Sequence, residues 1–380
     1  MHTIDTTEAE TVQTSTVEGF SEPLRIIGPD GTRHACDVLD AHLSDIDDQR
    51  LADLYVDMAV VRRFDQEAFA MTRQGELALW PPLLGQEASQ VGSVRGLRDQ
   101  DWIFGSYREH AAPLLRGADL TQWMKVWKTQ TYAGWNPHDL RVGSAQIIIG
   151  AQSLHATGYA MAAKQRGLDE VAMSCFGDGA TSQGDVNEAM VFASTYSAPA
   201  IFLCQNNGYA ISEPVEVQAK YPLAQRALGF NIPALRVDGN DVLAVLAAVR
   251  LAVQRGLSGA GPTFIETMTY RMGPHTTTDD PTRYRREAEI EEWTERDPLL
   301  RIERFLQQRG SSVEGLREEA KVQADRIARD MRAGARAAVA DPSGGMFDAV
   351  YADETAQVAR QRANHAALQA SFAEKTGADR

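Results

Sequence analysis

The stretch from Gly177 to Asn207 constrains the fold of this chain more strongly than any other. It reads GDGATSQGDVNEAMVFASTYSAPAIFLCQNN, a glycine-rich loop followed by an amphipathic segment and an apolar run that ends in two asparagines. Another apolar run, at residues 171–176, precedes the loop. The amphipathic segment repeats apolar residues at helical spacing, at Val186, Ala189, Met190 and Ala193. The pattern predicts a strand–loop–helix–strand unit with Asp185 as the helix N-cap.

The same alternation of strands and helices continues along the chain. Further strands are predicted at residues 201–205 and 263–270, and helices at residues 46–75, 151–164 and 241–255. This order indicates an α/β fold with a mostly parallel sheet and helices on both faces, followed by a helical C-terminal region. We predict a partly disordered N-terminal arm at residues 1–45, an α/β domain at 46–290 and a helical C-terminal extension at 291–380.

Composition excludes several classes of protein. The formal net charge of −14 argues against a nucleic-acid or anionic-membrane partner. Three cysteines, none in C-x-x-C spacing, are too few for a disulfide framework. No apolar run reaches the roughly 18 residues of a membrane-spanning helix. Residues 1–20 are acidic and threonine-rich, unlike a signal or transit peptide. The sequence therefore predicts a cytoplasmic protein that does not enter a membrane.

Polar side chains follow both strands of the central unit. The carboxyl ends of neighbouring parallel strands lie at one edge of a sheet, so Asp178 and Asn207 are expected to converge. Carboxylate and amide oxygens are hard ligands suited to Mg²⁺ or Ca²⁺. The loop at residues 179–184 is neither a Walker loop nor G-x-G-x-x-G, but its small residues let N–H groups approach an anion. We expect a diphosphate bridged to the protein through Mg²⁺; the alternative is an ordinary capped turn.

These motifs resemble those of thiamine-diphosphate enzymes, in which GDG is followed, after one crossover, by NN. The wording GDGATSQGDVNEAM and FLCQNNGYAIS is similar to the alpha subunit of the decarboxylating component of 2-oxo acid dehydrogenase complexes. The resemblance runs from about Leu51 to Tyr351 and includes GQEASQVG (85–92), FGSYREH (104–110), RVDGNDV (236–242) and ETMTYRMGPHTTTDDPTRYR (266–285). It implies the thiamine-diphosphate-binding fold.

The resemblance also implies roles for individual residues. It assigns the Mg²⁺ ligands to Asp178, Asn207 and the backbone carbonyl of Tyr209. It assigns diphosphate contacts to Tyr107, Arg108 and His275, and it makes His275 the catalytic residue that orients the intermediate or assists acyl transfer. From the residues alone, YREH is also compatible with a surface ion pair, and His275 with a solvated loop.

Further cofactor contacts are predicted on either side of these groups. The loop and its surroundings supply Gly177, Gly179, Ala180, Asn207 and Arg271. Positive charge around His275 is concentrated in Arg271, Arg283, Arg285 and Arg286. The run Ile147–Gly150 resembles the segment whose backbone carbonyl receives the amino group of the cofactor's pyrimidine ring. Ile149 is predicted to be the side chain that bends the cofactor; an ordinary buried apolar turn is the alternative.

The function implied is that of a 2-oxo acid dehydrogenase alpha subunit. Its expected partners are a beta subunit, in a heterotetramer of two alpha and two beta chains, the lipoyl domain of the acyltransferase component and a small 2-oxo acid. Leu79, in QGELALW, aligns with the acyl pocket and favours branched-chain 2-oxo acids, with pyruvate as the alternative. A stand-alone transketolase-like enzyme and a non-catalytic nucleotide-binding scaffold are the rival functions.

Two departures from the family pattern concern the expected site. Gln205 stands where some branched-chain relatives carry a diphosphate-binding arginine and others carry glutamine. The stretch between Trp127 and Gly143 is shorter than in many pyruvate-type members, and it lacks their Gly-Arg-Gly-Gly-Ser-Met-His-like segment. The first departure concerns diphosphate binding, and the second concerns one wall of the substrate entrance.

Overall fold

The computed structural model describes residues 20–131, 133–340, 345–348 and 350–378. Residues 1–19 of the predicted N-terminal arm lie outside these ranges. The helices are α1 (Asp37–Asp40), α2 (Asp48–Arg73), α3 (Glu87–Gly96), α4 (Ala111–Leu115), α5 (Leu120–Trp127), α6 (Pro137–Leu140), α7 (Ala151–Gln165), α8 (Gly184–Thr195), α9 (Val215–Gln218), α10 (Ala224–Leu228), α11 (Val242–Leu257), α12 (Glu287–Thr294), α13 (Pro298–Gln308), α14 (Glu314–Ala337) and α15 (Ala356–Ala378). The strands are β1 (Trp102–Phe104), β2 (Ala172–Gly177), β3 (Ala200–Asn206), β4 (Tyr209–Ala210), β5 (Glu213–Pro214), β6 (Ala234–Asp238) and β7 (Thr263–Met268). Short 3₁₀ turns occupy Asp178–Ser182, Pro281–Arg283 and Gly345–Phe347.

Five parallel strands form the central sheet in the order β1-β2-β3-β7-β6. Because side chains alternate between the faces of a strand, successive residues enter different cores. Cys175 of β2 packs in one core with α2, α3 and α11, whereas Phe176 packs in another with α7 and α8. Helices therefore cover both faces, and the predicted α/β class is confirmed. The antiparallel pair β4–β5 lies apart from this sheet.

The predicted strand–helix–strand unit is present as β2, α8 and β3. Gly177 lies opposite Gln205 in the parallel register, so the two strands end together. The prediction that Asp185 caps the helix is wrong: α8 begins at Gly184, and its N-cap is Gln183, whose side chain makes no capping bond within the described chain. The 3₁₀ turn ends at Ser182, directly before the N-cap, so the helix begins earlier than predicted. Asp185 therefore lies in the first turn, where its negative charge interacts favourably with the positive end of the helix dipole.

Residues 20–45, the described part of the predicted arm, pack against the edge strand β6. Leu24 exchanges backbone hydrogen bonds of 2.8 Å with this strand. The carboxylate of Asp241 accepts the N–H groups of Ile26 and Ile27 at 2.6 and 2.7 Å. Both isoleucines are fully buried, so this segment belongs to the core of the described fold.

The C-terminal region is helical, as predicted, and it supports the loops around the strand ends. α14 packs along α2 and α5. Met331 and Ala335 of α14 share a core with Phe64, Trp80 and Trp123. Within the described ranges, no helix combines the length and the apolar character that crossing a membrane requires.

Candidate active site

Four strand ends meet at the carboxyl edge of the sheet. The segments after β1, β2, β3 and β7 line a cavity of about 370 Å³. The predicted site residues that line it are Tyr107, Arg108, Ile149, Gly177, Asp178, Gly179, Ala180, Asn207, Tyr209, Arg271 and His275. Ile147 is the exception, since its side chain is 78% exposed and lines a neighbouring cavity. The polar cavity thus gathers residues that are far apart in the sequence.

Three oxygen groups of the predicted metal site lie in this cavity. Asp178 is buried and accepts a hydrogen bond from Gln218 Nε2 at 3.1 Å. Asn207 donates Nδ2 to Gln86 Oε1 at 3.0 Å, while its Oδ1 accepts the N–H of Tyr209 at a long 3.4 Å. The carboxylate, the amide oxygen and the backbone carbonyl of Tyr209 are hard ligands of the kind that Mg²⁺ prefers.

The buried carboxylate of Asp178 is poorly compensated without a cation. Burial raises the pKa of Asp178 to about 6. Hydrogen bonds, including one from the Asn207 backbone N–H, and the charge of Arg271 act in the opposite direction. A divalent cation beside it would favour the ionised form. No three His, Cys, Asp or Glu side chains converge as a metal site among the described residues. A cation bound at Asp178 would therefore depend on amide and carbonyl oxygens for its other protein ligands.

The two adjacent asparagines have different surroundings. Asn206 ends β3 and donates Nδ2 to Glu266 of β7 at 2.8 Å. Its Oδ1 accepts the N–H of Gly208 at 3.3 Å. Asn207 points its polar group to the cavity, whereas Asn206 joins two strands and fixes the turn that follows them.

Arg271 is a buried cation at the cavity. It is 1% exposed and donates to the carbonyls of Tyr209 and Ile211 at 3.2 and 2.7 Å. Burial lowers its pKa, and the neighbouring Arg108 acts in the same direction. Its Nε has no hydrogen-bond partner in the described part of the chain, so one donor remains for an added anion.

The other three arginines of this loop do not line the cavity. Arg285 donates to the backbone carbonyls of residues 271–273 and so stabilises the loop itself. Arg286 is exposed and pairs with Glu289, and Arg283 is also exposed. The expected concentration of positive charge therefore reaches the cavity through Arg271 and Arg108, because Arg285 donates to local carbonyls and Arg286 pairs with a local carboxylate.

Arg108 and His275 contact one another across the cavity. Arg108 Nη2 lies 3.1 Å from His275 Nδ1 and donates to the His275 carbonyl at 3.0 Å. Tyr107 meets the imidazole edge-on, with ring centroids 6.1 Å apart. Burial and the charges of Arg108 and Arg271 lower the pKa of His275 to about 4. His275 is therefore neutral at pH 7; because a guanidinium only donates, Nδ1 accepts and Nε2 carries the proton.

The loop at residues 80–85 supports this pair. The Pro82 carbonyl accepts Arg108 Nη1 at 2.6 Å. Gly85 adopts a φ of 95°, and a Cβ added there would lie 2.3 Å from the carbonyl of Tyr270. A side chain at this position would therefore separate the loop from the segment that carries His275.

Asp65 of α2 fixes the same loop from its buried side. Its Oδ1 accepts Trp80 Nε1 at 2.7 Å and the Leu83 N–H at 3.0 Å, and its Oδ2 accepts the Leu84 N–H at 3.1 Å. Burial raises the pKa of Asp65 to about 7, although the bonds from Trp80 and Leu83 oppose the shift. Sequence reasoning missed this residue; the available signal was an aspartate on the apolar face of an amphipathic helix.

An apolar cavity of about 480 Å³ adjoins the polar one. It is bounded by Leu79, by Trp123 and Trp127 of α5, and by parts of the segments 129–135 and 144–149. Tyr107, Ile149, Ile211 and His275 line both cavities. Leu79, assigned to an acyl pocket by the sequence, and the shortened stretch before Gly143 thus meet at this second cavity.

Sequence reasoning also missed several polar residues of the first cavity. These are Gln86, Glu109, Gln152, Gln183 and Gln218. Glu109 is 8% exposed and lies within the quoted motif YREH. It accepts a hydrogen bond from Gln205 Nε2 at 2.8 Å. Polar residues next to the recognised motifs were the available signal, but their partners come from distant segments.

The chain is also similar in sequence to known proteins. Residues 55–342 match the family described as Dehydrogenase E1 component. Over 342 residues, 90% of this chain and 92% of the relative, the sequence is 41% identical to a 3-methyl-2-oxobutanoate dehydrogenase subunit alpha of Mycobacterium tuberculosis. Over 268 residues, 70% of this chain and 72% of the relative, it is 45% identical to a pyruvate dehydrogenase E1 component subunit alpha of Staphylococcus aureus. On this similarity, the chain belongs to the dehydrogenase E1 component family and is an alpha-type subunit.

Proposed function

We propose that this chain is the alpha subunit of a 2-oxo acid dehydrogenase that decarboxylates branched-chain 2-oxo acids and transfers the acyl group to a lipoyl domain. The observation that carries the proposal is the pair of adjoining cavities with His275 between them. One cavity offers hard oxygen ligands and cationic donors, and the other offers apolar walls. A cofactor with an anionic end and a substrate with an apolar end fit these two environments.

Thiamine diphosphate with Mg²⁺ fits the residues of the polar cavity. The unpartnered Nε of Arg271 provides a buried donor for an anion. Space is open at Gly177, where an added Cβ would meet only the Gln205 carbonyl at 4.0 Å within the described chain. Asp178, Asn207 and the Tyr209 carbonyl would hold Mg²⁺, and Arg108 and Arg271 would hold the diphosphate. When bound, the cofactor supplies the electron sink for decarboxylation.

The remaining work belongs to residues between the two cavities. His275 is neutral, so its Nε2–H can donate a hydrogen bond to a developing oxyanion without adding a charge that repels the cationic cofactor ring. Ile149 would force the bent conformation of the cofactor. Tyr107 packs against the imidazole and restricts its rotation. A His275→Ala variant that still acylates a lipoyl domain at full rate would remove the role given to this side chain.

A beta subunit is the expected partner, because the glutamate that activates the pyrimidine ring in this kind of enzyme belongs to a second chain. The purified alpha chain with thiamine diphosphate and Mg²⁺ is expected to show no decarboxylation above background. Mixing it with the beta subunit should restore turnover. Robust turnover by the alpha chain alone would contradict the two-subunit arrangement. Its cytoplasmic location stays a prediction.

The substrate proposal depends on the apolar cavity. A branched acyl chain fills such a cavity better than a methyl group does, and each extra methylene changes discrimination by only about 1–3 kcal/mol. The complex with the beta subunit is therefore expected to use 3-methyl-2-oxobutanoate with a higher kcat/KM than pyruvate. A preference for pyruvate in the same assay would favour the alternative, a pyruvate dehydrogenase alpha subunit.

A further inference from the structure

The amide of Gln205 occupies the floor of the polar cavity. It is 2% exposed and donates Nε2 to Glu109 Oε1 at 2.8 Å. Its Oε1 is buried and has no hydrogen-bond partner among the described residues. Both side chains line the cavity in which we place the diphosphate. In this orientation the amide therefore keeps an unsatisfied acceptor in the lining of the cavity where an anion is expected.

This orientation is the wrong one for an anion. A diphosphate accepts hydrogen bonds and repels an amide oxygen, and a buried acceptor without a donor costs free energy. The two ends of an amide have nearly the same shape, and which end is nitrogen follows from the hydrogen-bond network. Rotating the amide of Gln205 by half a turn would direct its NH₂ group to the cavity. Its oxygen would then face Glu109, which must donate a proton to it.

The surroundings of Glu109 permit that proton. The side chain is 8% exposed, and burial raises its pKa, whereas the Ser106 hydrogen bond and the charge of Arg108 oppose the shift. From β2, Cys175 faces it as a thiol whose pKa burial also raises. Asp178 and Arg271 line the same cavity with opposite charges.

The contacts of Glu109 also accommodate a protonated carboxyl. Its Oε2 accepts the backbone N–H of Ser106, and this bond persists when the proton sits on the other oxygen, Oε1. The Oε1 hydroxyl would then donate to Gln205 Oε1 over the distance that now separates Oε1 from Nε2. No atom other than the amide has to move.

We propose that Glu109 acts as a protonated carboxylic acid that orients Gln205, so that the Gln205 amide donates a hydrogen bond to the diphosphate. This inference rests on the proposed function, and Glu109 is a positioning residue in it. Solvent supplies the proton, and no other bond forms or breaks. A neutral acid–amide pair would thus serve where some relatives use an arginine.

The consequence is a link between cofactor binding and proton uptake. If Glu109 is ionised in the cofactor-free protein, binding takes up as much as one proton per site. Affinity is then highest below the pKa of Glu109 and falls by up to about tenfold for each pH unit above it. Affinity falls as pH rises because the protonated form of Glu109 is the one that supports binding.

The test is calorimetric titration of the cofactor-free alpha–beta complex with thiamine diphosphate in excess Mg²⁺, from pH 6 to pH 9. Glu109→Gln mimics the protonated acid, since its amide oxygen can accept Ser106 N–H while its NH₂ donates to Gln205. This variant should bind at least as tightly as the unchanged complex at every pH, and any advantage it has should grow as pH rises. Comparing the two proteins at each pH cancels the ionisation of the ligand itself.

Two further variants keep the test decisive. Gln205→Leu should weaken binding and abolish the extra proton uptake, and adding Glu109→Gln to it should give no gain. Glu303→Gln removes another buried carboxylate, one that accepts from Tyr55 and Arg317 outside the cavity, and should leave the pH profile unchanged. Weaker binding by Glu109→Gln than by the unchanged complex at any pH in this range would overturn the inference, because the amide mimics the protonated acid. Absence of binding by the unchanged complex at every pH would instead overturn the proposed function.

Discussion

The polar and the apolar cavity lie side by side but are built in different ways. The polar cavity takes its key groups from the turns that directly follow strands of one parallel sheet, such as Asp178 after β2 and Asn207 after β3. Hydrogen-bonded register fixes these positions relative to one another. The apolar cavity takes its walls from α5 and from loops whose positions depend on packing with α2 and α14. The proposed binding chemistry thus depends on the sheet, whereas the proposed substrate selectivity depends on the surrounding helices.

The largest effect is expected at the strand ends themselves. Asp178→Asn removes the charge that would hold Mg²⁺, so affinity for thiamine diphosphate with Mg²⁺ should fall by about 100-fold or more, because truncating a charged partner costs about 3–5 kcal/mol. Titration of the alpha–beta complex would measure this loss. Unchanged affinity would show that the cation is held elsewhere.

The same variant should stabilise the ligand-free protein at pH 8. The pKa of Asp178 is raised to about 6 from the usual 3.8, so the ionised side chain is less favourable in the folded state than in the unfolded state. That destabilisation is full above pH 6 and vanishes as pH falls below 4. Removing it should add about 1–3 kcal/mol at pH 8 and little at pH 4. Denaturant unfolding at both pH values checks the sign.

A smaller effect is expected from Asp65→Asn, which acts where the helices meet the polar cavity. The new NH₂ group cannot accept the Leu84 N–H, and a buried donor without a partner costs about 1–3 kcal/mol. The stability of the variant should be measured at pH 6, below the raised pKa of Asp65, because the substitution then removes no buried charge that would offset the loss of stability. Loosening of the 80–85 loop displaces Arg108, and kcat should fall by roughly 10–100-fold.

A matched control separates positioning from stability. Asp57 accepts two hydrogen bonds from Arg95 outside the cavity, and Asp57→Asn on the same helix removes one of the two acceptor oxygens. It should lower stability without the fall in kcat. NMR titration of His275 gives a second readout: in Asp65→Asn its pKa should rise from about 4, since the guanidinium of Arg108 moves away. Equal effects of both substitutions on kcat would contradict a positioning role for Asp65.

The sequence could predict the polar cavity because few physical alternatives exist for its parts. Two strands joined by a crossover helix are usually parallel neighbours, as β2 and β3 are here, and this brings the residues after both strands together. The choice between Asn206 and Asn207 came from the resemblance, and it agrees with the different directions of the two side chains. The edge strands β1 and β6 escaped prediction because each is short and lacks a clear period.

The sequence could not predict the connections between distant segments. Asp65 and the 80–85 loop, or Glu109 and Gln205, meet only after the helices have packed. A buried acid gives no sign in the sequence of which donors it will accept. The misplaced cap at Asp185 has the same origin, since the 3₁₀ turn before α8 depends on contacts with the neighbouring loop. Gly179 is an example: a Cβ added to it would lie 2.7 Å from the Cβ of Ala210, so the backbone of the turn packs closely against β4.

The apolar cavity should respond in selectivity more than in binding of the cofactor. Leu79→Phe adds volume to its wall, so kcat/KM for 3-methyl-2-oxobutanoate should fall relative to pyruvate by about 5–100-fold, the range expected for a methylene or two in an apolar pocket. Cofactor affinity should not change. Leu257→Phe is a suitable control, because Leu257 has the same 38% exposure but lies at the end of α11. A parallel loss for both substrates would mean that Leu79 does not contact the acyl chain.

The smallest effect on cofactor binding is expected at Asn206, although it neighbours a proposed metal ligand. Asn206→Ala removes the donor to Glu266, a fully buried carboxylate, so unfolding should become easier by about 1–3 kcal/mol. Affinity for thiamine diphosphate with Mg²⁺ should stay within about twofold, while Asn207→Ala should lower it by at least tenfold, since a charge-assisted contact is worth about 1.5–3 kcal/mol. Denaturant unfolding and titration of both variants separate the two quantities. Similar losses of affinity for the two variants would contradict this separation. They would mean that weakening the β3–β7 pairing also displaces the binding groups of the cavity.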